Sequence, residues 1–179
     1  DRIYNELLNF SEKLKIDLVR CQDTNFLTIN PKILNQLREM YLQNPINIKL
    51  YIETRPEGIN ENSIELLKKL KVDGVGMGIE LADEKFREGE LNRFANQEKT
   101  LSAFKLLKTN GIKRTAYNII GLPNQNEDSI LKTIEFNKML DPDNITVAFY
   151  SPYIGTSQQK KANELGYFDD YEYHVDSAL

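Results

Sequence analysis

The sequence predicts an α/β protein that forms part of a parallel (β/α) barrel of the TIM type, with about five strands. Two observations support this prediction. Short apolar strands alternate with amphipathic helices, and strand starts recur roughly every 25–40 residues, about the length of one βα unit. Polar side chains also collect where the strands end, which is the end at which parallel α/β folds bind ligands.

The elements follow one another through residues 1–166, and residues 167–179 lack periodicity and are interpreted as a tail. An apolar helical stripe over residues 2–14 precedes the first strand, at 16–21. Asn30-Pro31 then begins a helix, because asparagine is a good N-cap and proline is tolerated at the first helical position. The remaining strands are predicted at 48–54, 74–80, 113–120 and 145–150, and the remaining helices at 60–70, 96–110, 127–140 and 156–165.

The composition of the 179 residues limits the class of partner. A net charge of −4 argues against a general nucleic-acid or membrane-surface binder, because such proteins need a basic face. No apolar run reaches the roughly 20 residues that cross a bilayer, and the N-terminus has no signal-peptide pattern. Cys21 is the only cysteine, so we expect no internal disulfide and a cytoplasmic location. Asp1 is interpreted as a boundary within a longer protein.

Alternation of side chains gives each strand two faces. In the strand at 74–80, Val75, Met77 and Ile79 suit contact with covering helices, and three glycines and Glu80 lie opposite. An open, doubly wound sheet is covered on both faces and has continuously apolar strands, so the barrel is favoured. Structural ion pairs are the alternative explanation for the polar face. That face is predicted to carry Asp23, Glu53, Arg55, Glu80, Asn118 and Tyr150.

Five short motifs occur in order along the chain. They are Glu53-Thr-Arg-Pro-Glu-Gly58, Gly76-Met-Gly-Ile-Glu80, Leu91-Asn-Arg93, Ile120-Gly-Leu-Pro123 and Phe149-Tyr-Ser-Pro-Tyr-Ile-Gly-Thr156. Each motif alone is weak, but five in order at barrel-like spacing form a strong signal. Together they resemble the radical SAM superfamily, especially the members that follow a cobalamin-binding domain.

This resemblance implies a barrel of six βα units whose first strand precedes a Cys-x3-Cys-x2-Cys loop. In the family these thiolates hold a [4Fe–4S] cluster, and S-adenosylmethionine is reductively cleaved there to a 5′-deoxyadenosyl radical. The predicted strands correspond to the family's second to sixth, so the cluster loop belongs before Asp1. Cys21 lies in the next strand and is interpreted as a small buried thiol. No metal site and no activity are therefore expected of these residues alone.

The resemblance also implies roles for individual residues in binding S-adenosylmethionine. Glu80 matches an acid that holds its polar part, and Arg93 matches a base that grips its carboxylate; a surface charge is the alternative for Arg93. The adenine is expected near Asn118, the Gly121-Leu122-Pro123 turn and Tyr150. Pro123-Asn-Gln-Asn126 replaces the family's usual Pro-Gly-Glu-Thr, which removes its acid.

Four further residues are expected on the substrate side. Asp23 and Asn25 belong to Asp23-Thr-Asn-Phe26, which resembles an Asp-Asp-Asn-Phe segment of the family. Glu53 and Arg55 match a Thr-Arg-Pro segment in the cavity wall. The substrate itself stays unknown at this point.

The function predicted for the intact protein is that of a radical SAM enzyme that carries out radical modification or methyl transfer, with cobalamin from another domain as one option. A non-catalytic barrel scaffold is one alternative. Another TIM-barrel enzyme of the lyase type is a second, but it calls for a lysine at a strand end, whereas Lys49 and Lys113 lie at strand starts. The edge of the strand at 16–21 is expected to be unpaired and to favour oligomerisation.

Overall fold

The computed structural model describes residues 2–167, so the predicted tail from residue 168 onward lies outside the described residues. The five strands are β1 (Leu18–Arg20), β2 (Lys49–Glu53), β3 (Val72–Glu80), β4 (Lys113–Ile120) and β5 (Asn144–Phe149). The seven α-helices are α1 (Arg2–Glu12), α2 (Pro31–Gln43), α3 (Glu61–Lys69), α4 (Glu84–Leu91), α5 (Gln97–Thr109), α6 (Glu127–Leu140) and α7 (Ser157–Glu164). Two 3₁₀ turns, Phe26–Thr28 and Pro56–Gly58, follow β1 and β2.

The strands form one parallel sheet in the order β1-β2-β3-β4-β5. This confirms the predicted α/β half-barrel and its run of βα units. The sequence did not predict α4, and its composition explains why. Arg87 is the buried residue of this short helix, so α4 has no apolar stripe that marks it as a helix. Instead, the Asp83 carboxylate caps it by accepting a hydrogen bond from the amide of Phe86 at 3.0 Å.

The helix-covered face of the sheet forms the hydrophobic core. Ile48, Leu50 and Ile52 lie on this face at β2, and Val75 and Met77 lie on it at β3, all at most 1% exposed. Three helices supply the facing side chains, which are Leu34, Leu37, Ile64, Leu67, Phe104 and Leu107. Burial of this apolar surface stabilises the half-barrel and fixes which strand face points away from the helices.

The opposite face of the sheet is concave and is filled by two tyrosines that lie over glycines. The hydroxyls of Tyr51 on β2 and Tyr117 on β4 meet at 3.0 Å above β3. A Cβ at Gly74 would lie 2.9 Å from the Tyr51 ring, and one at Gly76 would lie 2.5 Å from Tyr117. The two phenol rings therefore pack in the space that the glycines of β3 leave by having no side chain. These rings form the floor of the concave face.

Ion pairs close the N-terminal end of this face. Asp73 accepts from Lys49 at 2.8 Å and from Lys113 at 3.1 Å. These pairs lower the pKa of Asp73, because its charged form is hydrogen-bonded to two ammonium groups. Both lysines thus lie at strand starts with an acidic partner, away from the strand ends where a lyase-type lysine is needed.

Two strand edges are unpaired in the described part of the chain, because β1 and β5 are the outermost strands. The outer face of β5 is also apolar and open, with Ile145 55% exposed and Val147 50% exposed. We expect residues 1–179 to self-associate at high concentration, and Val147→Lys to reduce this association. Sedimentation velocity over a concentration series measures it. A single monomer species at every concentration would contradict the expectation.

No helix within residues 2–167 is both long enough and apolar enough to span a membrane.

Candidate functional site

The candidate site begins where β3 ends. The pairing of β3 with β4 shifts between Gly78 and Glu80, and Glu80 has a positive φ of 62°. This irregular strand end turns the Glu80 carboxylate back over Gly78, where it forms an ion pair with Arg93. The same guanidinium donates a hydrogen bond to the carbonyl of Gly78 at 3.0 Å. A Cβ on Gly78 would lie 2.8 Å from Arg93 Nη1, so the glycine makes room for the pair.

The Glu80–Arg93 pair is largely shielded from solvent. The side chain of Glu80 is 14% exposed and that of Arg93 is 25% exposed. Burial raises the pKa of Glu80 although the nearby charge of Arg93 acts to lower it. A carboxylate and a guanidinium thus stand together at the C-terminal end of the central strand, in a place of reduced solvation. The structure thus brings together the two residues that the sequence singled out, Glu80 and Arg93.

A buried arginine fixes the segment that carries Arg93. Arg87, 2% exposed, donates hydrogen bonds to the carbonyl of Leu81 at 2.6 Å and to the carbonyl of Ala95. It therefore joins the chain just after β3 to the chain just before α5. Asn92 ends α4 in the left-handed conformation at φ 49°, which turns the chain so that Arg93 reaches Glu80.

A second polar group lies on the concave face, against the tyrosine floor. Arg20 forms an ion pair with Glu53 and lies 3.3 Å from the hydroxyl of Tyr117. Its guanidinium carbon is 5.6 Å from the centre of the Tyr51 ring. In a flat sheet β1 and β4 lie about 14 Å apart, so this contact also shows how the sheet curls. Burial raises the pKa of Tyr117, which keeps its hydroxyl protonated.

The sequence did not single out Arg20 or Tyr117 as site residues. Val19 and Cys21 pack against the core, and Arg20 between them points to the concave face. Because side chains alternate along a strand, Arg20 and its two neighbours lie on opposite faces of the sheet. The charge of Arg20 was the sequence signal that it lies on the polar face. Glu53 was predicted to lie on this face, and it does.

The backbone amides of the predicted turn at Gly121-Leu122-Pro123 are hydrogen-bonded to a nearby side chain. The amide oxygen of Gln125 accepts from the amide of Gly121 at 2.7 Å and from that of Leu122 at 3.3 Å. Gly121 has a φ of 83°, so its lack of a Cβ permits the turn. Gln125 stands where many family members have glutamate, and it satisfies the turn with a neutral acceptor.

The prediction that Asn118 lies on the polar face of the sheet is wrong. Its side chain is 4% exposed and points to α6, where its Oδ1 accepts a 2.8 Å hydrogen bond from Asn137 Nδ2. The physical reason is that Tyr117 occupies the concave face over Gly76, so alternation places Asn118 on the helix-covered face. Asn118 therefore does not line the candidate site.

The Asn118–Asn137 pair gives a stability prediction. Replacing Asn118 with leucine leaves the buried Asn137 amide without this partner, so we expect the free energy of unfolding to fall by about 2 kcal/mol. Asn137 keeps only its bond to the Thr133 carbonyl, at 2.8 Å. The double variant Asn118→Leu/Asn137→Leu should recover part of the loss. Urea unfolding measures both, and equal stability of Asn118→Leu and the parent chain would refute the assigned pairing.

The remaining predicted residues lie on segments that follow the strands. Asn25 accepts a 2.8 Å hydrogen bond from the hydroxyl of Thr54, which ties the turn after β1 to the turn after β2. Arg55 lines a cavity between these turns and the segment that carries Arg93. Asp23 is exposed, and Tyr150 follows β5, with its amide bonded to the carbonyl of Ile120 at 2.8 Å.

The residues of this chain do not fit an iron–sulfur cluster. Cluster ligation requires thiolates, and the sequence holds the single Cys21. Within residues 2–167 no three His, Cys, Asp or Glu side chains are grouped so that they can hold a metal ion. Burial raises the pKa of the Cys21 thiol to about 11, which fits a packed thiol rather than a reactive one.

We expect this thiol to react slowly and the chain to hold no cluster. At pH 8 a pKa near 11 leaves about one thiol in a thousand ionised, so alkylation by iodoacetamide should speed up steadily through pH 9 and 10. Anaerobic reconstitution with iron and sulfide should leave the purified chain colourless. Rapid alkylation of the folded chain at pH 7, or stoichiometric iron and sulfide after desalting, would contradict these expectations.

Comparison with protein families gives one clear match. Residues 1–136 match the profile described as the radical SAM superfamily. Oxygen-independent coproporphyrinogen III oxidase of Helicobacter pylori is 25% identical over 132 residues, covering 72% of this chain and 29% of that protein. An uncharacterised methyltransferase of Pyrococcus horikoshii is 26% identical over 156 residues, covering 87% of this chain and 34% of that protein. The chain thus spans about a third or less of these relatives' length.

Solved structures share the fold. The radical S-adenosylmethionine methyltransferase TsrM of Kitasatospora setae, solved with cobalamin and a [4Fe–4S] cluster, superposes with a TM-score of 0.70 at 18% identity, over 81% of this chain and 29% of TsrM. The coproporphyrinogen III oxidase HemN of Escherichia coli gives a TM-score of 0.69 at 18% identity, over 89% of this chain and 40% of HemN.

Proposed function

The chain belongs to the radical SAM superfamily, and we propose that it is the part of a radical SAM enzyme that holds the polar end of S-adenosylmethionine. The enzyme relatives span several reactions, including an oxidase and an anaerobic cyclase. The proposal is therefore limited to the step that such enzymes have in common, and radical methyl transfer is one reaction that can follow it.

The observation that carries the proposal is the Glu80–Arg93 pair. The methionine end of S-adenosylmethionine carries a carboxylate and an ammonium group, and its ribose carries hydroxyls. A guanidinium binds a carboxylate through two parallel hydrogen bonds, and a carboxylate accepts from an ammonium or a hydroxyl. The pair offers both partners at one strand end and is held there by the Gly78 carbonyl.

Binding of S-adenosylmethionine is proposed to replace the ion pair between Glu80 and Arg93 with contacts from each residue to the ligand. In the structure Glu80 and Arg93 neutralise one another, so neither is a buried charge without a partner. When the ligand enters, Arg93 takes the ligand carboxylate and Glu80 takes the ammonium or a hydroxyl, so both protein charges keep a polar partner. Arg87 keeps the segment of Arg93 in place during this exchange.

The turn at Gly121-Leu122-Pro123 is proposed to support the adenine. Its own amides are occupied by Gln125, and the Leu122 carbonyl accepts from the amide of Gln125 at 2.9 Å, so the turn offers the surface around Gly121 rather than free donors. Tyr150 follows the neighbouring strand and is proposed for the same region. Asn118 is left out of this proposal because α6 engages its side chain.

S-adenosylmethionine, when bound and reduced, supplies a 5′-deoxyadenosyl radical. The thiolates of the cluster are proposed to come from residues outside this sequence, since Cys21 alone does not suffice. Cobalamin, if used, is proposed to come from another domain, and the reducing cytoplasm is the proposed location. The roles assigned to the present residues are binding and orientation.

The coding sequence upstream of the Asp1 codon tests this proposal first. We expect it to encode Cys-x3-Cys-x2-Cys within about one βα unit. The encoded longer protein, reconstituted anaerobically and reduced with dithionite, should then form 5′-deoxyadenosine from S-adenosylmethionine. An open reading frame without these cysteines would refute the enzyme assignment and leave the scaffold alternative. In that protein Glu80→Gln should form less 5′-deoxyadenosine, and Glu61→Gln, a change at an exposed residue of α3, is the matched control and should react as the parent does.

A further inference from the structure

A cavity of about 600 Å³ lies between the two 3₁₀ turns and the segment that follows α4. Its volume is in the range of small-molecule sites. It stands at the C-terminal ends of β1 and β2, where parallel α/β folds bind ligands. Arg93 lies at one side of it, so a molecule in the cavity is adjacent to the proposed S-adenosylmethionine site. Its other lining residues include Asn25, Leu27, Arg55, Glu57 and Phe94.

Arg55 is presented to this cavity on a fixed backbone. The preceding Thr54 is 3% exposed and donates to Asn25, and the following Pro56 is fully buried. Arg93 is engaged by Glu80 and by the Gly78 carbonyl. Arg55, by contrast, is exposed and has no ion-pair partner among residues 2–167. A guanidinium in this situation has its hydrogen-bond donors available to an anionic ligand.

The rest of the lining selects the class of anion. Glu57 lies in the same cavity, and its negative charge opposes a dianion such as phosphate, which normally gathers several cations. One unpaired guanidinium fits the single charge of a carboxylate. Phe94, which is 71% exposed, and Leu27 both line the cavity. These side chains suit an apolar body attached to the carboxylate.

We propose that this cavity is the substrate site, and that it takes a carboxylic acid with an apolar body whose carboxylate pairs with Arg55. The inference rests on the proposed function, because the neighbouring Glu80–Arg93 pair would hold S-adenosylmethionine beside it. Phe94 contacts the apolar part, and Glu57 sets the preference for a single negative charge. Asn25 is a positioning residue, since its side-chain oxygen accepts from the hydroxyl of Thr54, the residue before Arg55.

The test uses the full chain and 3-phenylpropionate as the probe, with amide chemical shifts as the readout. Titration should shift the amides of Gly58 and Asn92, which both border the cavity. Arg55→Gln should weaken binding by about tenfold, the size expected for one charged hydrogen-bonded contact. The affinity of Arg55→Lys should lie between those of the parent and Arg55→Gln, because an ammonium group lacks the paired donors of a planar guanidinium. Arg2→Gln, a change at a side chain that is 91% exposed, is the matched control and should bind as the parent does.

Two further probes test the ligand class. The neutral 3-phenylpropionamide should bind about tenfold more weakly than the acid, and phenyl phosphate should bind no more tightly than the acid. Tighter binding of phenyl phosphate would overturn the carboxylate assignment. Failure of 3-phenylpropionate to shift these amides at millimolar concentration, or equal binding to Arg55→Gln, would overturn the site itself.

A titration of the same variants with S-adenosylmethionine separates this inference from the proposed function. Arg55→Gln should keep the response of the amides near Glu80 and Arg93 to S-adenosylmethionine while it binds the carboxylate probe about tenfold more weakly. If the parent chain gives no response to S-adenosylmethionine but still binds the probe at Arg55, the proposed function is overturned and the carboxylate site remains. A response to S-adenosylmethionine without binding of the carboxylate probe would overturn the inference and leave the proposed function intact.

Discussion

Replacing Gly76 with valine is expected to lower the free energy of unfolding by about 3 kcal/mol, the upper end of the usual cost of overpacking. A Cβ at this position lies 2.5 Å from the Tyr117 hydroxyl and 2.8 Å from its ring carbon. The ring cannot simply rotate away, because its hydroxyl contacts Tyr51 at 3.0 Å and Arg20 at 3.3 Å. Urea unfolding followed by circular dichroism measures the change.

Two variants control this result. Gly89 lies in α4 with nothing within 4 Å of an added Cβ, so Gly89→Val should cost little. Tyr117→Ala should make Gly76→Val better tolerated, because it removes the ring that the new side chain meets. The packing of tyrosine on glycine would be wrong if Gly76→Val unfolded at the parent's urea midpoint, or if its cost were the same in the Tyr117→Ala background.

Replacing Arg93 with glutamine is expected to weaken binding of S-adenosylmethionine by about thirtyfold, or about 2 kcal/mol. Two effects combine. The variant loses the guanidinium that would bind the ligand carboxylate, and it leaves Glu80 buried without its charge partner. The pKa of Glu80, which burial already raises, should rise further, because the variant removes the positive charge that acts to lower it. Isothermal titration calorimetry measures the affinity.

Arg93→Lys and Arg55→Gln are the informative comparisons for this prediction. Lysine keeps the charge of Arg93 but not its paired donors, so its affinity should lie between those of the parent and Arg93→Gln. Arg55→Gln removes the same charge from a neighbouring wall of the cavity and should leave S-adenosylmethionine affinity unchanged. Equal affinity of Arg93→Gln and the parent chain would show that Arg93 does not contact the ligand.

The order of strands and helices was predictable because each element carries its own local signal. The apolar alternation of β2 and β3 and the N-cap of α2 can be read without knowledge of distant contacts. Where the local signal is weak, the prediction was wrong. β1 spans Leu18–Arg20 rather than 16–21, since only part of that apolar run pairs with β2. α4 was missed because a buried arginine takes the place of its apolar stripe.

Within the candidate site, the outcome depended on whether a residue's neighbours lie close in sequence. Glu80 and Arg93 are 13 residues apart and belong to one βα unit, and the motifs singled out both residues, although not the ion pair between them. Asn118 was placed on the wrong face, because its orientation is decided by Tyr117 packing on Gly76 of another strand. Arg20 and Tyr117 are 97 residues apart, and no local pattern reports that contact.

The footprint of S-adenosylmethionine on the amide resonances of the chain tests the central claim most directly. Titration should shift the amides from Gly78 to Ala82, that of Arg93, and those of the Gly121 turn. Glu80→Gln/Arg93→Gln should abolish these shifts without changing the spectrum of the core. A footprint centred elsewhere, for example on Ile134, Ile145 and Val147 between α6 and β5, would contradict the assignment of this strand end as the site for S-adenosylmethionine. A full response in the double variant would contradict it as well.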